Sequence, residues 1–195
     1  GVGIDQEKFR LEDLDIVAKK KELGLGKDDL LILSVGELNQ NKNQEVIIRA
    51  IARLNNPNIH YMVAGKGDKG QYLEKLANEL GVNLKLLGYR TDIVELLNTA
   101  DIFAFPSFRE GLSVALMEAM ASGLPCVVSR IRGNVDLIKG GYLCEPDDAK
   151  AFSKGIQSLL NRKQRFEFGE FNRQMMGKFN LKKTNKIMRL IYERV

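Results

Sequence analysis

The stretch IFAFPSFREGLSVALMEAMASGLPCVVS, residues 102–129, decides the class of fold. It contains two short apolar runs, at 102–105 and 125–129, on either side of a helical pattern over 114–122. Both runs are continuous rather than alternating, as is typical of strands that are buried on both faces of a sheet. A strand, a helix and a second strand in this order predict a βαβ unit with parallel strands.

The same alternation of strands and helices extends over most of the chain. Four further apolar runs predict strands, and they span residues 30–35, 60–64, 84–87 and, more weakly, 142–144. Other helical patterns separate or follow the strands, and they span residues 45–54, 71–80, 92–98, 147–160, 164–176 and 181–194. We therefore predict an α/β fold, a Rossmann-like, doubly wound parallel sheet of about six strands with extra C-terminal helices.

The composition is that of one soluble, globular domain. Of the 195 residues, 44% are hydrophobic and 28% are charged, and the longest apolar runs are far shorter than a membrane span. The net charge of +5 is mild, and no basic stripe is interleaved with aromatic residues, which argues against nucleic acid as a partner. Cys126 and Cys144 lack the spacing of a zinc site and predict a reducing, cytoplasmic location.

Two motifs suggest functions that their positions do not support. Residues 65–70 match G-x-G-x-x-G, but they follow the second strand, whereas a dinucleotide fingerprint follows the first. The acidic residue expected about 20 positions later is also missing, so a glycine-rich turn is favoured over the alternative of an NAD-dependent oxidoreductase. Asp13 and Asp15 have the spacing of a metal-binding pair but lie in a charged N-terminal segment, so we predict no metal. For His60 we favour a structural role.

The loop 106–113 is the candidate ligand site, because ligands of a doubly wound sheet bind at the carboxyl ends of its strands. Gly111 permits close approach of a ligand, and Ser113 is a plausible N-cap. A helix that begins there directs free N–H groups and a positive dipole end towards a pyrophosphate. Glu110 and Glu118 could accept hydrogen bonds from sugar and ribose hydroxyls without a metal. The alternative is an amphipathic helix with two solvated glutamates.

Glu110 and Glu118, with seven residues between them and Gly-Leu-Ser after the first, resemble the E-x7-E signature of retaining glycosyltransferases of family 4. These enzymes have the two-domain GT-B fold. The segments 1–5, 98–107 and 119–125 are also similar to family segments, so the resemblance covers nearly the whole chain. It implies that residues 1–195 form the nucleotide-sugar (donor) binding domain, with 147–195 as C-terminal helices and the N-terminal acceptor domain absent. It also implies that the enzyme needs no metal or other cofactor.

The resemblance implies a role for each candidate residue. Glu110 would contact hydroxyls of the donor sugar, Glu118 would bind the ribose, and Lys42 would bind the phosphates. Glu110 and Lys42 are the catalytic candidates, since charge on the departing diphosphate would be stabilised by Lys42 and by the start of the helix. The other donor-binding candidates lie in three loops. They are Gly36 in the loop that leads to Lys42, the backbone amides of Gly111, Leu112 and Ser113 in the E-x7-E loop, and Tyr89, Arg90 and Thr91 in a loop near the base.

The chain departs from the family at Glu37, where an arginine is usual. A carboxylate near a diphosphate is repulsive, so another cation should offset it. Arg132 follows the strand predicted at 125–129, and we predict that it replaces the missing arginine. Arg130 is the competing candidate, and two solvated surface arginines are the other interpretation. The residues at 37 and at 132–136 are similar to those of bacterial capsule and exopolysaccharide glycosyltransferases.

We therefore expect a domain whose full enzyme transfers a sugar, with retention, from a nucleotide-diphosphate sugar to a glycan or lipid-linked acceptor. The domain alone should be inactive. A regulatory module that binds a nucleotide or sugar without catalysis remains an alternative. The last predicted helix, 181–194, has an apolar face that would pack on the absent domain. Its basic face would contact an anionic membrane surface, at the inner face of the membrane.

Overall fold

The computed structural model describes residues 3–111 and 113–179. Two expectations from the sequence lie outside these residues. One is the role of Leu112, and the other is the helix predicted over 181–194, with the surfaces that it would present to a second domain or a membrane.

The six predicted strands are all present and form one sheet. They are β1 (Leu30–Val35), β2 (Ile59–Ala64), β3 (Asn83–Gly88), β4 (Ile102–Phe105), β5 (Cys126–Ser129) and β6 (Gly141–Cys144). The sheet order is β3-β2-β1-β4-β5-β6, and every pair of neighbours is parallel. The predicted doubly wound sheet is therefore confirmed. The strand order reverses between β1 and β4, and a crevice for ligands forms outside the carboxyl ends of the strands at such a point.

Within residues 3–111 and 113–179, eight α-helices connect and flank the strands. They are α1 (Ile16–Glu22), α2 (Gln44–Ala52), α3 (Gly70–Leu80), α4 (Ile93–Thr99), α5 (Val114–Ala121), α6 (Arg132–Val135), α7 (Ala149–Ser158) and α8 (Arg162–Met176). Short 3-10 turns occur at Gln6–Phe9 and Gly177–Phe179. The predicted helices within the described residues are present, with ends that shift by one or two residues. The sequence analysis did not predict α6, because four residues are too few to show a helical period.

The sheet is covered on both faces, which explains the continuous apolar runs of its strands. Along β1, Leu31 and Leu33 belong to one buried cluster and Ile32 to the other. Side chains of α4 and α5 complete the first cluster, and those of α2, α3 and α7 complete the second. Helix α8 contributes to both, since Met176 lies in the first and Phe168 packs against the second.

Asn172 fixes α8 to the sheet. Its side chain is fully buried, and its amide nitrogen donates to the carbonyl oxygens of Leu124 and Gly140, both at 2.7 Å. Its amide oxygen accepts from the backbone nitrogen of Gly140 at 3.1 Å. These bonds satisfy backbone groups just before β5 and β6 that are buried away from water. Helix α8 is therefore an integral part of this domain.

We predict that Asn172→Ala lowers the free energy of unfolding by roughly 3 kcal/mol, because it leaves buried backbone groups without partners. Urea denaturation of the variant and the parent chain measures the loss. Asn78→Ala is the control, since Asn78 is exposed and its side chain makes no hydrogen bond to the described residues. Its effect should stay within about 0.5 kcal/mol. Similar losses of unfolding free energy in the two variants would show that the buried amide of Asn172 stabilises the domain no more than an exposed asparagine does.

Candidate active site

Lys42 and Glu110 meet where the strand order reverses. Lys42 lies in the loop after β1, and Glu110 lies in the loop after β4, its neighbour in the sheet. The Nζ atom of Lys42 donates to Oε1 of Glu110 at 2.6 Å. The two side chains are 22% and 16% exposed, so the pair is partly shielded from solvent. The fold thus brings together the two residues that the sequence analysis named as catalytic candidates.

The Lys42 side chain is held along its length. Its ammonium group lies 5.1 Å from the centroid of the Phe105 ring, within the range of a cation–π interaction. Its stem passes over Gly36, where a Cβ atom would lie 3.3 Å from Cε of Lys42. Gly36 also has a φ of +152°, which side chains rarely adopt. The absence of a side chain at Gly36 therefore leaves space for the stem of Lys42.

Glu37 is engaged within its own loop. Its Oε2 atom accepts from the side-chain nitrogen of Asn39 at 2.9 Å. The side-chain oxygen of Asn39 accepts in turn from the backbone nitrogen of Lys42 at 3.0 Å. Glu37 thereby supports the turn that presents Lys42, although it is itself an acid at the edge of the site.

Two further asparagines join this loop to the loop after β4. The side chain of Asn41 donates to the carbonyl oxygen of Arg109 at 3.0 Å, and the backbone carbonyl oxygen of Asn41 accepts from the backbone nitrogen of Phe108 at 2.8 Å. Asn43 donates to the carbonyl oxygen of Pro106 at 3.2 Å. The sequence analysis missed these residues. The available signal was the density of asparagine around Lys42, since asparagine often fixes turns.

Ser113 caps α5, as the sequence analysis expected. Its Oγ atom accepts from the backbone nitrogen of Leu116 at 3.3 Å. The start of α6 packs directly on the same loop. A Cβ atom on Gly133 would overlap the carbonyl oxygen of Gly111, so only glycine permits this approach. The neighbouring residue, Arg132, is therefore placed beside the E-x7-E loop.

The two candidate arginines differ in their partners. Arg130 forms an ion pair with Glu145 at 3.4 Å and donates to the carbonyl oxygen of Leu143 at 3.4 Å. Arg132 is exposed, and its guanidinium group makes no hydrogen bond or ion pair with any residue in 3–111 or 113–179. Of these two side chains, Arg132 is the one available to a ligand.

Glu118 is half-buried on α5 without a partner. Its carboxylate makes no hydrogen bond or ion pair within the part of the chain that the structure describes. Burial raises the pKa of Glu118, and the positive charge of Lys8, in the turn Gln6–Phe9, only partly offsets this. An ionisable group with a perturbed pKa and no structural partner is a candidate for ligand contact.

The third predicted region, the loop with Tyr89, Arg90 and Thr91, follows β3 at the edge of the sheet. Tyr89 is 75% exposed. The side chain of Arg90 is engaged within the fold, because its Nε atom donates to Oδ1 of Asp92 at 2.7 Å. This hydrogen bond from Arg90, with that from Lys19, holds the pKa of Asp92 well below its usual range. Among the described residues, no hydrogen bond or ion pair joins residues 89–91 to Lys42 or Glu110. The network instead ties the loop to α1.

The glycine motif at 65–70 has a structural explanation. A Cβ atom on Gly65 would overlap the carbonyl oxygen of Gly36, and Leu38 donates from its backbone nitrogen to the carbonyl oxygen of Lys66 at 3.0 Å. The motif therefore packs against the loop that leads to Lys42, in agreement with the predicted glycine-rich turn.

The other sequence features also have positions in the fold. Asp15 caps α1 by accepting from the backbone nitrogen of Ala18 at 3.0 Å, and His60 lies 3.1 Å from the carboxylate of Asp29. The described residues contain no cluster of three or more histidine, cysteine or acidic side chains that could hold a metal ion. None of the helices within residues 3–111 and 113–179 has the length and apolar composition needed to cross a bilayer.

Comparison with known proteins places this chain in a family. Residues 15–175 match the model of the family described as glycosyl transferases group 1. EpsD of Bacillus subtilis (strain 168), named as a glycosyltransferase, is 30% identical over an alignment of 201 positions that covers 98% of this chain and 53% of that protein. The UDP-Gal:alpha-D-GlcNAc-diphosphoundecaprenol alpha-1,3-galactosyltransferase of Escherichia coli is 34% identical over 172 residues, 83% of this chain and 44% of that protein. The chain thus spans about half the length of the curated relatives it matches.

The solved structures support the same assignment. The crystal structure of Anabaena Alr3699/HepE in complex with UDP matches with a TM-score of 0.92 at 21% identity, over 99% of this chain and 56% of that one. This likeness confirms the expected fold, one half of a GT-B fold. The family match also sets aside the NAD-dependent oxidoreductase as an alternative. The chain belongs to the group 1 family of glycosyltransferases.

Proposed function

We propose that this chain is the donor-binding domain of a retaining glycosyltransferase of family 4 that builds bacterial surface polysaccharide. The observation that carries the proposal is the Lys42–Glu110 pair beside the capped start of α5, where the strand order reverses. The name of one relative specifies UDP-Gal and a diphosphoundecaprenol-linked sugar, and a structure of the same fold contains UDP. A nucleotide-diphosphate sugar as donor and a glycan or lipid-linked acceptor fit these findings.

Lys42 and the start of α5 would bind the diphosphate. An ammonium group has three donors, so Lys42 can keep its bond to Glu110 and still donate to a phosphate oxygen. The first N–H groups of a helix have no partners within the helix, and its dipole favours an anion there. As the bond to the sugar breaks, the departing diphosphate gains negative charge. Donors already fixed in place would stabilise that charge without reorganisation.

Glu110 would bind the donor sugar. Its Oε1 atom accepts from Lys42, which leaves its Oε2 atom free to accept a hydrogen bond from a sugar hydroxyl. The same contact fixes the carboxylate in one orientation. Glu110 would thereby align the sugar with the diphosphate that Lys42 holds.

Glu118 would bind the ribose of the nucleotide. Its half-buried carboxylate is costly to keep charged without hydrogen-bond donors, and two ribose hydroxyls would supply them. The group therefore lowers the stability of the free domain and would gain its partners when the nucleotide binds.

Arg132 would replace the arginine that the family usually has at the position of Glu37. It lacks an ion pair with the described residues, and Gly133 places it against the E-x7-E loop. Its planar guanidinium group could bind a phosphate with two parallel hydrogen bonds.

Further partners follow from the length of the relatives. A second domain would supply the acceptor site and close the cleft over the donor. An anionic membrane surface would bring the chain to lipid-linked acceptors, and this remains a prediction.

We predict that UDP or GDP, or one of their sugars, binds this chain, and that Glu118→Ala and Glu110→Ala have different effects. Loss of a hydrogen bond to a charged acceptor costs about 1.5–3 kcal/mol, so Glu118→Ala should weaken the nucleotide and its sugar alike, by about 10- to 100-fold. Glu110→Ala should mainly weaken the nucleotide sugar. Calorimetry measures both, with the exposed Glu74→Ala as control. Absence of binding by UDP, by GDP and by their sugars contradicts the function, and equal losses of the nucleotide and the nucleotide sugar in both mutants contradict the assignment.

We also predict that Glu118→Gln raises the free energy of unfolding at pH 7 in the absence of nucleotide. The pKa of Glu118 is raised in the folded state, which means that the fold favours the protonated, neutral carboxyl. This stabilising contribution is fully present below the unfolded pKa and is lost as the pH rises through the folded pKa, so at pH 7 the carboxylate is charged and half-buried. Glutamine removes the buried charge, and its advantage should disappear below about pH 4, where the unfolded carboxyl is also protonated. Chemical denaturation across this pH range tests the prediction, with Glu74→Gln as control. A variant that is less stable at pH 7 would contradict it.

Arg132→Lys should weaken UDP binding while leaving uridine binding unchanged, because lysine keeps the charge but loses the bidentate geometry. A loss of roughly tenfold is expected for one charge-assisted hydrogen bond. Arg130→Lys is the matched control, since Arg130 already has partners in Glu145 and Leu143. If Arg132→Ala leaves UDP affinity unchanged and Lys42→Ala abolishes it, the diphosphate is held by a single lysine.

A further inference from the structure

Asn41 links the two loops that carry Lys42 and Glu110. Its side-chain nitrogen donates to the carbonyl oxygen of Arg109, the residue before Glu110, and its backbone carbonyl oxygen accepts from the backbone nitrogen of Phe108. It reaches these groups across 68 positions in sequence, as measured from Asn41 to Arg109. Asparagine in an ordinary turn bonds to nearby backbone, as Asn39 does with Lys42. The contacts of Asn41 instead connect two separate loops.

The sheet alone does not hold these loops together. The paired residues of β1 and β4 are Ile32 with Ile102 and Leu33 with Phe103, before either strand ends. Beyond that pairing, the Oγ atom of Ser34 donates to the carbonyl oxygen of Ala104 at 2.6 Å. Past the strand ends, the spacing of the two loops depends on hydrogen bonds between the loops themselves. The side chain of Asn41 supplies the bond adjacent to both Lys42 and Glu110.

We propose that Asn41 is a positioning residue for donor binding, because it holds Lys42 at the distance from Glu110 at which both can contact one donor molecule. The proposal rests on the proposed function of Lys42 as the phosphate-binding cation. One N–H of the Asn41 amide donates to the carbonyl oxygen of Arg109, and we assign to this bond an effect on the diphosphate that passes through Lys42.

The test compares UDP and uridine binding to the parent chain, Asn41→Ala, Lys42→Ala and the double variant. Loss of one neutral hydrogen bond should weaken UDP binding to Asn41→Ala by about three- to tenfold and leave uridine binding unchanged. In the Lys42→Ala background the same substitution should have no effect on UDP binding, since its consequence passes through Lys42. Asn41→Asp, which has the same size but lacks the N–H donor, should weaken UDP binding to the parent chain at least as much as Asn41→Ala, because its negative charge also opposes a diphosphate.

Asn83→Ala is the matched control. The side chain of Asn83 also donates to a backbone carbonyl oxygen, that of Pro57 at 2.8 Å, but it lies at the amino-terminal end of β3, on the opposite edge of the sheet. It should lose a similar amount of stability and keep the parent affinity for UDP. Reduced UDP affinity in Asn83→Ala would show that a general loss of stability, and not positioning, produces the effect.

Two results would overturn the inference while the function of Lys42 stands. One is an unchanged UDP affinity in Asn41→Ala when Lys42→Ala weakens it. The other is the same loss from Asn41→Ala in both backgrounds, which would mean that Asn41 contacts the ligand itself. If Lys42→Ala has no effect on UDP affinity, the proposed role of Lys42 fails, and the positioning role fails with it.

Discussion

The ion pair between Lys42 and Glu110 is the contact around which the candidate site is built. It depends on the reversal of strand order, which makes β1 and β4 neighbours although they are separated in sequence by two other strands. A partly buried ion pair is worth keeping only if further contacts compensate for its loss of water. The ring of Phe105 and the hydrogen bonds of the loops provide such contacts. The cation is therefore in place before any donor arrives.

The charged residues around this pair divide into two groups. Arg90 and Arg130 have acidic partners that fix neighbouring parts of the fold, and they serve as structural cations. Arg132 and Glu118 have no partner among the described residues, although both lie on elements that meet the E-x7-E loop. Such unpaired groups are candidates for ligand contact, because their capacity for hydrogen bonds is not used within the fold.

The sequence predicts the sheet well because parallel strands buried on both faces appear as continuous apolar runs, and Ser113 is recognisable as a cap from its position before a helical pattern. Other features leave no local trace. Helix α6 is too short for a period, and the bond from Asn41 to Arg109 joins residues that are far apart in sequence. The engagement of Arg90 by Asp92 and Glu22 likewise depends on how α1 packs against the loop after β3.

The contact between Gly133 and Gly111 has a consequence for natural variation in this family. Gly133 carries no functional group and would not be selected as a site residue by any chemical criterion. Yet any side chain there would displace the carbonyl oxygen of Gly111, and with it the loop that ends at the cap of α5. Its identity should therefore be inherited together with the two glutamates of the signature, so that a position without a functional group indicates which relatives have kept the same loop geometry.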